Sequence, residues 1–418
     1  MKTRAVRLYG KRDLRLETFD LPAIKEDEIL VEVISDSICM SSYKAAVLGP
    51  DHKRVPRDVA EQPVIIGHEM AGNIVAVGAK WRHLFRPGEK FAMQPALNYK
   101  GSMDSPGYSY RYCGGAATFA IMPQEVMELG CLLKYEGEAY YDASLAEPMS
   151  CIIGAFHASY HTNMGSYEHK MGIAEGGKLA ILAGAGPMGL GAVDYALHCD
   201  RRPGLIVVTD VEAARIIRAE TIFPPAEAKK EGVELVFVNT KDIKDVPGCL
   251  KALTGGAGFD DVHVYAPVKA VVEQADQILG RDGCLNFFAG PTDAAFSGML
   301  NYYNVHYNAA HVMGTTGGNT HDMIESLRLT EKKLINPAVM VTHVGGLDSV
   351  AAATLNLPDI PGGKKLIYTG INMDLTAIAE FALKGKDNPH FAKLAEITAR
   401  NRGLWCAEAE NYLLNNWK

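Results

Sequence analysis

The stretch that decides the fold runs from Lys178 to Asp210 and reads KLAILAGAGPMGLGAVDYALHCDRRPGLIVVTD. It begins with an apolar run at 179–183, short enough for a buried parallel strand, and then turns through three glycines into a helical pattern. A second apolar run at 205–209 follows and ends at Asp210. The order of strand, glycine turn, helix and strand is typical of a dinucleotide-binding unit.

Each glycine of this turn would have a separate task in such a unit. Gly184 permits the tight turn, Gly186 removes a side chain where a pyrophosphate approaches the backbone, and Gly189 lets helix and strand pack closely. The helix that follows offers free N–H groups and a partial positive charge to phosphates, so Pro187 and Met188 join the predicted cofactor residues. The alternative is a glycine turn with only a structural role.

Asp210 decides which cofactor the sequence favours. A carboxylate at the end of the second strand accepts hydrogen bonds from the adenosine ribose hydroxyls and repels the extra phosphate of NADP. Arg215 and Arg218 nearby leave some room for NADP(H), although the pattern favours ordinary helix-surface charges at both positions. The sequence therefore predicts NAD(H), with NADP(H) less favoured.

From Lys178 onward, apolar runs alternate with helical patterns. This alternation predicts an α/β domain with a doubly wound, six-stranded parallel (Rossmann) sheet and right-handed crossovers. The six predicted strands are Leu179–Ala183, Leu205–Thr209, Glu234–Val238, Asp261–Tyr265, Cys284–Phe288 and His311–Gly314. Ligands bind at the carboxyl ends of such strands. The further predicted cofactor residues are therefore Ala266, Phe288, Ala289, Gly290 and Thr315.

Composition narrows the class of protein. A chain of 418 residues is too long for one compact core and suits two domains. With 22% charged residues and a net charge of −7, it has no general attraction for nucleic acid or an anionic membrane. No apolar run approaches membrane-spanning length, and the N-terminus lacks the apolar core of a signal peptide, so we expect a cytoplasmic protein.

Before the dinucleotide unit, three polar residues stand out in a β-rich context. Residues 1 to about 35 alternate as short strands do, and Cys39 follows them directly. His68 lies between apolar strands, where a histidine needs a partner, and Glu147 precedes a proline at which a helix can start. Taken singly, each has an ordinary structural interpretation: Cys39 as a buried thiol, His68 as a core histidine with its hydrogen bonds satisfied, and Glu147 as a charge at a helix N-terminus.

The ordered set of motifs resembles a known family. Cys39, GHEMAG (67–72), LAEP (145–148) and GAGPMG (184–189) together resemble the zinc-dependent medium-chain dehydrogenases and reductases, in their polyol and sugar-phosphate branch. The resemblance covers nearly the whole chain. It implies a GroES-like, β-rich catalytic domain at 1–160 and 336–418, into which the cofactor domain, 161–335, is inserted. It also implies a homodimer or homotetramer formed by edge-to-edge pairing of cofactor domains.

The same resemblance implies one catalytic zinc. Cys39, His68 and Glu147 match its ligands and leave a fourth position open for a substrate oxygen. Glu69, beside the histidine, would either coordinate the metal or lie just outside its ligands. Relatives that bind a second, structural zinc carry four cysteines in the region matching 95–115, where this chain has only Cys113, so we expect no structural zinc.

Three of the residues that follow Cys39 are predicted to affect catalysis. Ser41 keeps the hydroxyl of the family's proton relay, but Ser42 replaces the acid that commonly steadies the zinc site. Lys44 stands where several relatives place a relay histidine. It would pass protons, bind a substrate phosphate, or simply be exposed.

The predicted reaction is hydride transfer between a nicotinamide and a secondary alcohol or ketone of a sugar phosphate or polyol. The basic loop with Lys44, Lys53, Arg54 and Arg57 is similar to that of ketose-phosphate reductases and would supply charge for a phosphate, unless it is only a solvated surface. Alternatives are an unphosphorylated polyol or threonine-type dehydrogenase, a zinc-independent quinone reductase, and a non-catalytic dinucleotide-binding protein. The helical C-terminal tail is hypothesised to cover a subunit interface.

Overall fold

The computed structural model describes residues 1–163 and 165–417. The chain forms two compact units: Met1–Pro148, Asn319–Lys333 and Val341–Lys418 make up the first, and Met149–Gly318 with Leu334–Met340 the second. The first unit is thus discontinuous in sequence. The boundaries predicted from sequence, after residues 160 and 335, stay a prediction, since compactness alone divides the chain at slightly different points.

The strands follow the predicted change from a β-rich region to alternation with helices. They are β1 Lys2–Gly10, β2 Asp13–Asp20, β3 Ile29–Ile38, β4 Val64–Ile65, β5 Ala71–Val77, β6 Lys90–Met93, β7 Phe119–Met122, β8 Leu132–Tyr135, β9 Tyr160–Thr162, β10 His169–Met171, β11 Lys178–Leu182, β12 Leu205–Asp210, β13 Glu234–Asn239, β14 Phe259–Val264, β15 Leu279–Phe287, β16 His311–Met313, β17 Val341–Gly346, β18 Lys364–Tyr368 and β19 Thr376–Ala377.

The helices are mostly short. They are α1 Met40–Leu48, α2 Gln124–Glu128, α3 Tyr140–Ser144, α4 Ala146–Ala158, α5 Pro187–His198, α6 Ala213–Ile222, α7 Pro225–Lys230, α8 Val246–Ala252, α9 Lys269–Ile278, α10 Tyr302–Asn308, α11 Thr320–Glu331, α12 Val350–Leu355, α13 Phe381–Lys384, α14 Pro389–Arg400 and α15 Ala407–Asn416. Single 3₁₀ turns lie at Gly49–Asp51, Ala79–Trp81, Tyr99–Gly101, Pro337–Met340, Leu347–Ser349, Leu357–Asp359 and Ile378–Glu380. Within residues 1–163 and 165–417, none of these helices combines the length and apolar character needed to cross a bilayer.

The second unit contains the predicted doubly wound sheet. Its six strands pair in the order β13-β12-β11-β14-β15-β16, and every pairing is parallel. Apolar side chains of the central strands, such as Ala180, Val207, Val262 and Leu285, are fully buried. β11 ends one residue earlier than predicted because Ala183 has a positive φ of 53° and already belongs to the turn. The predicted fold class is confirmed.

The first unit is built around β3. β3 pairs antiparallel with β5, β7 and β18, so it lies inside an eight-stranded sheet rather than at its edge. A separate three-stranded sheet has the order β2-β1-β4. The inward side chains Ile29, Val31 and Val33 of β3 alternate with less buried neighbours, as expected for an antiparallel strand with one face on a core. The predicted β-rich N-terminal unit is confirmed.

The C-terminal helices pack onto this unit through one buried acid. Glu410, on α15, is 1% exposed, and its carboxylate accepts the backbone N–H groups of Tyr140 and Tyr141 at 2.6 and 2.9 Å. The Tyr368 hydroxyl donates to the same carboxylate at 2.7 Å and accepts the indole N–H of Trp405 at 2.7 Å. The tail therefore caps the first turn of α3. Its predicted place at a subunit interface stays a hypothesis.

Replacement of Glu410 by alanine tests this anchor. Glu410→Ala leaves two buried N–H groups without an acceptor, so we expect the free energy of unfolding to fall by about 2–4 kcal/mol. Glu408→Ala is the matched control, because Glu408 is exposed and pairs only at the surface with Arg400. Urea unfolding followed by tryptophan fluorescence reports on the first unit, which holds Trp81, Trp405 and Trp417. Equal midpoints for the two variants would contradict the assignment.

Candidate metal centre and dinucleotide turn

The pairing of three strands brings distant parts of the first unit together. In the register of β3, Ile38 pairs with Lys365 of β18, and Ser35 pairs with Ala71 of β5. The residue that follows β3, Cys39, therefore lies near the residues that precede β5, His68 and Glu69. Lys364, the first residue of β18, lies beside them although it is 295 positions from Glu69 in sequence.

Three of the predicted site residues form a compact cluster. One ligand atom each from Cys39, His68 and Glu69 lies within 4.8 Å of the others. His68 and Glu69 are 4% and 0% exposed. A thiol, an imidazole and a carboxylate are the donors that zinc takes in proteins, and their spacing fits a single ion. The chemistry of this cluster therefore fits the zinc that the resemblance implies.

The Glu69 carboxylate is held on both oxygens. Lys364 Nζ donates to Oε1 and the Ser37 hydroxyl donates to Oε2. Burial alone would lower the pKa of Lys364, but the charges of Glu69, Cys39 and Glu147 raise it above its usual value. Lys364 is therefore a buried cation within the cluster.

A second buried acid holds the backbone of the cluster. The backbone N–H of Glu69 donates to Asp36 Oδ1 at 3.1 Å. Burial raises the pKa of Asp36 to about 7, and the nearby charge of Glu69 adds to the rise. A Cβ atom on Gly67 or Gly115 would lie within 2.5 Å of the Asp36 carboxylate, so only glycine leaves room for it at these two positions.

Hydroxyl groups contact both sides of the His68 ring. Ser42 Oγ lies 3.4 Å from Nδ1, while Ser41 Oγ and the Tyr108 hydroxyl lie 3.4 and 3.3 Å from Nε2. Ser42, predicted to replace an acid that steadies the site, thus contacts the histidine through its hydroxyl. Ser41 donates to the Cys39 sulfur at 3.0 Å and accepts from Tyr108 at 2.7 Å.

Tyr108 is a site residue that sequence reasoning missed. It is 2% exposed, and its ring lies 4.9 Å from the ring of His68 and 5.8 Å from that of His52, centroid to centroid. Burial raises its pKa well above the usual value, so the hydroxyl stays protonated. The only signal in the sequence was its place among several tyrosines between residues 99 and 112, which does not distinguish it from Tyr99, Tyr110 or Tyr112.

Glu147 is not one of the three clustered residues, but it lies close to them. Its pKa is raised to about 7 by burial, with a lowering contribution from His68 and raising contributions from Glu69 and Cys39. Burial likewise raises the pKa of Cys39, while the charge of Lys364 opposes the rise. The helix that carries Glu147 begins at Ala146, two residues before Pro148.

The basic residues of the loop are placed differently from one another. Arg57 lies at the surface, 3.5 Å from Asp51, which also pairs with Lys11 at 2.6 Å. The Arg54 guanidinium lies over the ring of Tyr108, 5.3 Å from its centroid. Lys44 lies on α1, and Lys53 is exposed. Burial lowers the pKa of His52, and the charges of Arg54, Lys53 and Lys44 lower it further.

In the second unit, the glycine turn has the expected shape. Gly186 precedes α5 directly, and a Cβ atom there would meet nothing within 4 Å. At Gly189, a Cβ atom would lie 2.1 Å from the Gly184 carbonyl oxygen. Gly186 is therefore open where a phosphate would approach, and Gly189 is in close contact where helix and turn pack. Pro187 and Met188 form the first turn of α5.

Asp210 ends β12 at this side of the sheet. It is 4% exposed; Oδ1 accepts the N–H of Glu212 at 3.0 Å, whereas Oδ2 is buried without a hydrogen-bond partner. Arg215 Nη1 lies 3.8 Å from that oxygen. Arg218 is partly buried and donates to the Val339 carbonyl at 3.1 Å, so it is not an ordinary surface charge.

The other predicted cofactor residues follow the carboxyl ends of neighbouring strands. Ala266 follows β14, Phe288, Ala289 and Gly290 follow β15, and Thr315 follows β16. The Ala289 N–H donates to the Val264 carbonyl at 3.0 Å, which ties two of these ends together. The ring of Phe288 lies 4.6 Å from that of Tyr265. All predicted cofactor residues thus lie at the carboxyl ends of the strands of one parallel sheet.

Comparison with known proteins agrees with this arrangement. Residues 25–130 match the alcohol dehydrogenase GroES-like domain, and residues 187–332 match the zinc-binding dehydrogenase family. The chain is 53% identical to mannitol-1-phosphate 5-dehydrogenase of Aliivibrio fischeri and 48% identical to L-sorbose 1-phosphate reductase of Klebsiella pneumoniae, each over 99% of this chain and 97% of the relative. Its fold is similar to 2R,3R-butanediol dehydrogenase from Bacillus subtilis, with a TM-score of 0.70 at 20% identity over 88% of this chain and 99% of that one.

This protein belongs to the zinc-binding dehydrogenases, and it is an oxidoreductase of the alcohol dehydrogenase type. The GroES-like and Rossmann-type domains predicted from sequence are confirmed. Two relatives that the chain matches over nearly its full length are named for small-molecule substrates, mannitol 1-phosphate and L-sorbose 1-phosphate.

The two glycines at the start of α5 should respond differently to alanine. Gly189→Ala places a methyl group against a backbone carbonyl, so we expect a loss of about 1–3 kcal/mol in the free energy of unfolding. Gly186→Ala meets open space with a φ of −79° that alanine tolerates, so we expect a change of no more than about 0.5 kcal/mol. Urea unfolding followed by far-ultraviolet circular dichroism measures both. A Gly186→Ala variant as unstable as Gly189→Ala would contradict this geometry.

Proposed function

We propose that this protein is a zinc-dependent, NADH-using reductase of a ketose phosphate, with L-sorbose 1-phosphate as the best substrate. The observation that carries the proposal is the compact cluster of Cys39, His68 and Glu69 in a chain 48–53% identical to two enzymes named for hexitol or ketose phosphates. The same chemistry on an unphosphorylated polyol is the second candidate. A non-catalytic protein would have no use for three metal donors that converge in this way, two of them buried.

The metal is the first part of the proposal. A bound zinc would supply a Lewis acid that polarises the substrate carbonyl or lowers the pKa of the product alcohol. Cys39 and His68 would hold it, and two carboxylates compete for the third protein position. The oxygen of Glu69 lies within the cluster but is held by Lys364 and Ser37, whereas Glu147 is the ligand that the resemblance implies.

Ser41 and Tyr108 would handle the proton. Their hydroxyls are hydrogen-bonded to each other at 2.7 Å beside the metal donors, so Ser41 would donate a proton to the substrate oxygen as hydride reduces the carbonyl, and would accept it in the reverse reaction. Tyr108 stays protonated and donates to Ser41, which orients the serine hydroxyl. We propose Ser41 as the relay to the cofactor ribose and Lys44 as a residue that helps move protons or holds the substrate.

NADH is the proposed cofactor because of Asp210. A buried carboxylate oxygen without a hydrogen-bond partner is costly, and a ribose hydroxyl would satisfy it. The same oxygen would repel the additional phosphate of NADPH. Arg215 lies 3.8 Å away and at the surface, where it offsets only part of that charge.

A homodimer or homotetramer formed through the second unit is also proposed. β16 is one of the two edge strands of the six-stranded sheet, so one side of it is open to pairing. Tyr302, Tyr303 and Tyr307 on the adjacent helix α10 are 76%, 64% and 62% exposed, and Val312 on β16 is 47% exposed. Exposed aromatic side chains beside an open strand edge favour contact with a second copy.

The first test combines metal analysis with turnover. We expect one zinc per chain and NADH oxidation with L-sorbose 1-phosphate at least tenfold more efficient in kcat/KM than with sorbose or fructose. Cys39→Ser should lose the zinc and the activity, whereas Cys113→Ser, a buried cysteine outside the cluster, should keep both. Turnover of free sugars alone would favour the second candidate, and a protein with neither zinc nor turnover would refute both.

Two isosteric variants separate the carboxylates. Loss of a ligand lowers zinc affinity strongly, whereas loss of a residue that only supports a ligand costs about 10- to 100-fold. We expect Glu147→Gln to release zinc to a chelator more readily than Glu69→Gln, because the glutamine amide at 69 still accepts a hydrogen bond from Lys364. The opposite order would assign the third ligand to Glu69.

Asp210→Ser tests the cofactor choice. Removal of the carboxylate should raise the KM for NADH and lower that for NADPH, so we expect the preference for NADH to fall by about 10- to 100-fold. Steady-state kinetics with both cofactors measures the ratio. An unchanged ratio would show that Asp210 does not contact the ribose.

A further inference from the structure

We infer that Arg54, held on the ring of Tyr108, is the residue that binds the phosphate of the substrate. The inference rests on the proposed function, since it assumes that the substrate carries a phosphate. It selects one residue from the basic loop and assigns it a specific contact.

The position of Arg54 is set by its neighbours. Its backbone N–H donates to His52 Nδ1 at 3.3 Å, and its carbonyl accepts the Ser109 hydroxyl at 2.7 Å. The Ser109 hydrogen bond ties the residue to the segment that carries Tyr108, and the His52 ring that accepts its N–H is itself stacked on Tyr108. These hydrogen bonds hold the loop backbone at Arg54, and the position of the guanidinium is defined accordingly.

Tyr108 contacts both the guanidinium of Arg54 and the proposed metal donor His68. The central carbon of the guanidinium is 5.3 Å from the centroid of the Tyr108 ring, and the hydroxyl of the same tyrosine lies 3.3 Å from His68 Nε2. A substrate whose carbonyl is held at the cluster would therefore have its phosphate within reach of Arg54. Stacking on an aromatic face is a typical way to orient an arginine for planar recognition.

Arg54 also has unused donor capacity. Its Nε is buried and has no hydrogen-bond partner. Among the described residues no ion pair involves Arg54, whereas Arg57 pairs with Asp51. An arginine presents Nε and one terminal nitrogen as a fork that matches two oxygens of a phosphate. A phosphate oxygen would give the Arg54 Nε–H the hydrogen-bond acceptor that it lacks.

The surrounding charge favours a dianion. Lys44, Lys53 and Arg54 all act on His52, and each disfavours a proton on its ring. Three cations near one neutral imidazole create a positive potential in a chain whose net charge is −7. A phosphate would be attracted to this region, and Arg54 is a cation there whose backbone is hydrogen-bonded to His52 and Ser109.

The experiment compares Arg54→Gln and Arg54→Lys with Arg57→Gln as the matched control. NADH oxidation is measured with L-sorbose 1-phosphate and with sorbose, and zinc content and NADH affinity are measured for each variant. We expect Arg54→Gln to lower the ratio of kcat/KM for the phosphorylated over the free sugar by about 10- to 100-fold, mostly through KM. Arg54→Lys should recover part of this ratio because the charge remains but the fork is lost. Arg57→Gln should keep the wild-type ratio.

The inference is overturned if Arg54→Gln and Arg57→Gln have the same ratio, or if Arg54→Gln lowers kcat/KM equally for both sugars. A wild-type enzyme that reduces only free sugars would refute the proposed function instead. In that case, calorimetric titration with inorganic phosphate decides the inference separately. Binding to the wild type and Arg57→Gln but not to Arg54→Gln supports a phosphate site, and equal binding or no binding refutes it.

Discussion

A buried lysine paired with a buried glutamate holds the metal-binding cluster in place. Lys364 is 8% exposed and Glu69 is fully buried, and each would be costly in this place without the other. Their pairing requires that β18 and the segment before β5 lie on either side of β3, so the ion pair and the sheet order support each other. Cys39 and His68 lie next to these charges because Cys39 follows β3 directly and His68 precedes Glu69 in the segment before β5.

This arrangement explains why the first unit is built from segments that are far apart in sequence. Residues that precede the Rossmann-type sheet supply the thiol, the imidazole and the carboxylate, and residues that follow it supply the lysine. Glu410 anchors the C-terminal helices to the same unit by satisfying two backbone donors and a tyrosine hydroxyl. The tail after residue 376 therefore has a structural role within its own unit, independent of any subunit contact.

Much of this structure was predictable from local sequence. The six parallel strands follow from short apolar runs separated by helical patterns, and the glycine turn follows from spacing alone. Asp210 was predicted from its place at the end of a strand, whereas the roles of Cys39, His68 and Glu69 followed from the ordered motifs that resemble the zinc-dependent family. Local signals of this kind require no knowledge of long-range contacts.

The missed residues depend on contacts between distant segments. Tyr108 reaches Ser41 from 67 positions away, and Lys364 reaches Glu69 from 295. Neither has a periodic or motif signal, since one is a tyrosine among tyrosines and the other is half of a Lys-Lys pair. The choice of Arg54 over Arg57 likewise depends on which side chain lies on the ring of Tyr108.

The most direct test of the account is the zinc environment itself, measured by X-ray absorption at the zinc edge on the purified protein. A zinc held by Cys39 and His68 should have a single sulfur neighbour at about 2.3 Å, with the remaining neighbours nitrogen or oxygen at about 2.0–2.2 Å. That result would match one cysteine, one histidine and carboxylate or solvent oxygen. A shell of several sulfurs, or one without sulfur, would contradict the assignment of Cys39 and with it the centre described above.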